Sequence, residues 1–120
     1  MGWFGKKKPA LPSSGRAGDD MVMHQLDKHG ADLTEPRHWV HYLYFADEAA
    51  AREAATAISA AGWELQLMDR AASEDGSWVV VPERHDVIVD TDSVREARMF
   101  FEGIVAVHPQ AEYGGWEASI

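Results

Sequence analysis

The nine residues Arg37–Phe45, RHWVHYLYF, constrain the fold more than any other part of the sequence. The run is rich in aromatic and β-branched side chains and has no Gly or Pro, which makes it a strand. Alternation puts Trp39, His41, Leu43 and Phe45 on one side and Val40, Tyr42 and Tyr44 on the other. Neither side is polar, so the strand belongs in the middle of a sheet with both faces at least partly covered. A chain of 120 residues, 46% of them hydrophobic, has room for one such sheet and one core.

The flanking segments supply the rest of that sheet and its helices. Asp47 stands as an N-cap before EAAAREAATAISAA, where Ala51, Ala54, Ala55, Ile58 and Ala61 recur at helical spacing and Gly62 ends the run. Residues 63–69, WELQLMD, alternate with Trp63, Leu65 and Leu67 on one face, a pattern that suits an edge strand. After the turn RAASEDG comes the dense strand SWVVV, and the two read as a hairpin. Pro82 then confines the next residues to a strand end, an edge or a bulge, and ERHDVIVD reads equally as strand or loop. Asp92 or Ser93 caps a further helix with Val94, Ala97, Phe101, Ile104 and Val105 at core spacing, and Pro109 stops it. The segment QAEYGGWEASI offers a terminal edge strand.

Ahead of all this, Asp19 and Asp20 open a short helix over residues 20–29, ended by Gly30. The order helix, strand, helix, strand, strand, helix, strand predicts an α+β fold, a ferredoxin-like split βαβ sandwich with an antiparallel sheet and an extra N-terminal helix. Both crossover helices then stack on one sheet face. The opposite face needs a cover, and the candidates are the N-terminal helix, a second copy of the chain in a homodimer, or a protein partner.

Residues 1–18 hold Gly, Pro and Ser with Lys6, Lys7, Lys8 and Arg16 and no acid, which predicts a flexible basic tail before a single domain over 19–120. All 20 acids therefore lie in that domain, against seven of the 11 Lys and Arg, a formal charge of −13 within a total of −9. Such a surface repels nucleic acid. Arg37 is the only Lys or Arg in the aromatic strand, and the Lys/Arg-Gly-aromatic signature of RNA-binding sheets is absent. No apolar run reaches the length of a membrane span or a secretory signal, and three lysines hold a membrane weakly, so a cytoplasmic protein without stable membrane association is expected.

Chemistry-bearing residues give little at this level. With no cysteine, thiol catalysis and Cys-type metal sites are excluded. His24 and His29 are five apart on a helix, and His38 and His41 are three apart on a strand and so face opposite ways. Sequence spacing thus assigns no metal and no cofactor, leaving only histidines that folding brings together. The enzymatic alternative is a small metal-dependent or acid–base enzyme using some of Glu83, His85, Asp86 and Asp90.

The aromatic strand HWVHYLYF, the helix closing on AAGWEL, the arm DGSWVVV and the final EYGGWE together resemble the regulator of ribonuclease E activity B family, over roughly Asp19 to Ala118. The resemblance implies the ferredoxin-like fold already read from pattern. It also implies a non-catalytic role: binding ribonuclease E, restraining its cleavage and so altering RNA turnover. An acidic domain suits that role, because it can engage the basic segments that would otherwise hold RNA. The expected partner-binding residues are Glu74 and Asp75 of the hairpin turn and Glu112, Tyr113, Trp116 and Glu117 of the terminal strand. Core packing is the competing role for Tyr113 and Trp116.

Overall fold

The computed structural model describes Asp19 and residues 21–24, 34–72 and 76–119. The expected basic tail, Asp20, the later part of the N-terminal helix and Glu74 and Asp75 of the hairpin turn lie outside the described residues. From Arg37 onward the order is β1 (Arg37–Phe45), α1 (Glu48–Ala60), β2 (Glu64–Arg70), β3 (Trp78–Val87), α2 (Thr91–Ala106) and β4 (Glu112–Ala118). The sheet is antiparallel with strand order β2-β3-β1-β4, the ferredoxin-like arrangement. β1 lies inside it, between β3 and β4, as its two apolar faces require.

Both helices begin where a short acidic side chain satisfies free N–H groups. Asp47 accepts from the Ala50 amide at 2.9 Å, and α1 buries Ala51, Ala54, Ala55 and Ile58. The small side chains of that stripe let the helix backbone approach the sheet. α2 starts earlier than its sequence suggests. Its cap is Asp90, and Ser93 is the third residue of a capping box, its amide donating to Asp90 at 2.8 Å. Val94, Ala97 and Phe101 are buried beneath it, with Ile104 and Val105 partly so.

Three irregularities decide which residues share a face, and one of them, the β1–β4 shift between Tyr42 and Leu43, puts both Tyr113 and Trp116 on the core side. β3 runs through Pro82 to Val87, and the β2–β3 register shifts beside the proline, between Leu65 and Leu67. That bulge breaks the alternation expected for β2. Leu67 pairs with Val81 on the face away from the helices, and Met68 pairs with Val80 and packs on the core. A second shift lies between β1 and β3, where Arg37 pairs with Val87 but Trp39 pairs with Arg84, and Asp86 has a φ of 55°. The extra residue on β3 is accommodated there.

The main core lies between the helices and the sheet. Trp39, His41, Trp63, Phe101, Tyr113 and Trp116 form a contiguous aromatic layer, with Trp39 and Trp116 edge to face at 5.9 Å. Asp19 and residues 21–24 are helical and dock on this same side, where Met23 joins the core. Asp19 is itself in the helix and 2% exposed, so its carboxylate serves the core and does not cap from outside. These residues leave the opposite sheet face uncovered.

Candidate functional site

Register places His38, Val40, Tyr42 and Tyr44 of β1 on the open face. Beside them stand Gln66, Leu67 and Asp69 of β2, Val79, Val81, Glu83 and His85 of β3, and Glu112 and Glu117 of β4. Val40, Val79 and Val81 form a small second apolar cluster, with Tyr42 and Ala71 packed against it. Tyr44 and Leu67 are exposed large side chains at its margin. Glu64, which pairs with Glu83, extends the acidic border. Among the described residues the face thus carries Glu64, Asp69, Glu83, Glu112 and Glu117 and no Lys or Arg.

Two polar groupings order this surface. The Tyr42 hydroxyl donates to Glu117, and that bond, with partial burial, pushes the phenol up to about 12. In the other grouping His38 Nε2 lies 2.6 Å from Glu83 Oε1, which also accepts from Gln66 Nε2 at 3.1 Å. His85 stacks on His38 with centroids 4.4 Å apart, its Nε2 3.5 Å from the same carboxylate oxygen. The hydrogen bond to His38 holds the Glu83 carboxyl below the usual carboxylate range. Gly114 gives Tyr44 room, since a Cβ there would stand 2.7 Å from Tyr44 Cε2.

The terminal strand divides its residues between the two faces. Glu112 and Glu117 are exposed on the open side. Trp116 is buried beneath them, its Nε1 donating to Asp19 at 2.9 Å. Asp19 also takes two hydrogen bonds of 2.6 Å from the Arg98 guanidinium. Tyr113 is half-buried, with its hydroxyl 2.7 Å from His41 Nδ1 and Arg98 over its ring at 4.7 Å. Burial pushes the Tyr113 phenol well above its ordinary value and lowers His41 from 6.5 to about 3, with Arg84 and Arg98 adding to the depression. The four expected binding residues of β4 therefore form two exposed carboxylates over two aromatic supports.

Of the residues in the enzymatic alternative, Glu83 and His85 meet on the open face, while Asp90 is engaged by Ser93 at the start of α2 and Asp86 is exposed in the bulge. A pocket of about 390 Å³ between α2 and the sheet is lined by Trp39, Trp63, Arg84, Ile88, Glu96 and Phe100. Arg84 is already occupied there, lying 4.0 Å over the Trp63 ring and donating to the Ala61 carbonyl. Tyr42, Tyr44 and Leu67 went unassigned in the sequence. Their common face follows from register and the β2 bulge, although the two tyrosines at i and i+2 already signalled one surface. Asp19–Arg98–Trp116 joins residues 97 apart in sequence and has no local signal.

Comparison with known families adds one finding. A family model described as regulator of ribonuclease activity B matches residues 16–118. No curated protein matches the chain.

Proposed function

Because the chain belongs to the regulator of ribonuclease activity B family, we propose that it is a non-catalytic, protein-binding inhibitor of ribonuclease E or a closely related ribonuclease, acting in the cytoplasm on RNA turnover. The observation that carries this reading is the open sheet face, which combines five carboxylates with Tyr42, Tyr44 and Leu67 and no Lys or Arg among the described residues. A basic, RNA-binding segment of the enzyme is complementary to that surface in charge, and the rings offer its Lys and Arg side chains apolar and cation–π contact. Occupying such a segment competes with RNA for the same cations. Glu112 and Glu117 make the direct contacts and Tyr113 and Trp116 hold their strand from below; Glu74 and Asp75, expected from the sequence, are further candidate contacts.

Self-association of this face is disfavoured, because two copies would bring like charges together with no Lys or Arg among the described residues of the face to relieve them. Among the described residues no helix is long and apolar enough to cross a membrane. The test is cleavage of a short RNA by purified ribonuclease E with the full chain titrated in. Inhibition that weakens with added salt and with Glu112→Lys/Glu117→Lys supports the proposal. Undiminished cleavage at saturating protein refutes it.

A further inference from the structure

We propose that His38, Glu83 and His85 form a binding site for one divalent transition-metal ion of the zinc type on the open sheet face. Their ligand atoms all lie within 4.8 Å of one another, and Glu83 Oε1 sits 2.6 Å from one Nε2 and 3.5 Å from the other. Ligands about 2.0–2.1 Å from a tetrahedral zinc ion stand roughly 3.3 Å apart, so the three groups are near the required spacing. Two imidazoles and one carboxylate are a donor set that suits this class of metal and leaves a fourth position for water.

The backbone brings the three together. Glu83 and His85 are two apart on β3 and share a face, and the adjoining bulge sets His38 of β1 beside them. Gln66 holds Glu83 from β2, an outer contact of the kind that orients a metal-binding carboxylate. The face has no Lys or Arg among its described residues, and its other carboxylates raise the local cation concentration. One rearrangement is required. The two rings are parallel within 5°, so a shared in-plane ion needs one to turn, and His85, with half its side chain exposed, is free to do so.

This site stands whether or not the face receives a ribonuclease. The test is titration of the untagged full chain, first stripped with chelator, with Zn²⁺ by calorimetry and with Co²⁺ by visible absorption. One equivalent of Zn²⁺, a tetrahedral Co²⁺ band, and a loss of affinity of at least tenfold in both His85→Ala and His38→Gln are expected. His108→Ala, on the other side of the sheet, serves as a control and leaves binding unchanged. Should His38→Gln fail to fold, the exposed His85→Ala decides the matter. Absence of the Co²⁺ band, or a Zn²⁺ titration of His85→Ala that superimposes on the parent, overturns the proposal.

Discussion

His41 gives the sharpest link between this core and solution behaviour. Its ring is fully buried among Trp39, Trp63 and Phe101, and its Nε2 finds no hydrogen-bond partner among the described residues. Burial is the main reason its pKa falls from 6.5 to about 3, and the nearby Arg84 and Arg98 act in the same direction. The unfolded chain therefore binds this proton below pH 6.5 while the folded chain refuses it until about pH 3. Stability from this residue is complete above pH 6.5 and is lost progressively as pH falls from 6.5 toward about 3. Linkage across the gap gives a loss of about 2 kcal/mol at pH 5. Replacing His41 with Gln keeps a neutral hydrogen-bonding group toward Tyr113 and removes the titration. Denaturant unfolding followed by Trp fluorescence, repeated from pH 8 to pH 5, should show the parent losing about 2 kcal/mol more than His41→Gln. The histidines elsewhere cancel in that difference. Parallel curves for the two proteins would refute the account of a neutral, desolvated His41.

Other perturbations separate the supporting network from the exposed surface. Asp19→Asn leaves an acceptor for Trp116 but strips Arg98 of its buried counter-charge, and thermal or denaturant unfolding should report a loss of about 3 kcal/mol. Trp116→Ala empties a core position and should cost about 3–5 kcal/mol in the same measurement, whereas Glu117→Gln should change stability by less than about 1 kcal/mol. Gly114→Ala pushes the Tyr44 ring aside, so ribonuclease binding measured by calorimetry should weaken severalfold while the fold persists.

The elements that local chemistry dictates were legible in the sequence. β1 appears with its expected ends, and α1 follows its Asp47 cap and alanine stripe, because propensity, period and capping there agree. Agreement failed where register intervened. The β2 face assignment missed the bulge beside Pro82, and ERHDVIVD could not be resolved without knowing that β1 would pair with it. The start of α2 was misplaced because Asp90, Asp92 and Ser93 are all good caps and only the backbone chooses among them. The site shows the same division. Glu83 and His85 are close in sequence, but their common strand face and their meeting with His38 depend on a pairing that no spacing along the chain encodes. The roles of Tyr113 and Trp116 depended likewise on which face of β4 met α2 and Asp19.

The proposed binding of a basic ribonuclease segment rests on the acidic sheet face, which has no Lys or Arg among its described residues. Its most direct test is the affinity of the full chain for purified ribonuclease E at low and at physiological salt, with the parent protein and with Glu112→Lys/Glu117→Lys. One-to-one binding is expected, weakening as salt rises and falling at least tenfold on charge reversal. Absence of binding at low salt, or an affinity indifferent to both salt and charge reversal, would contradict it.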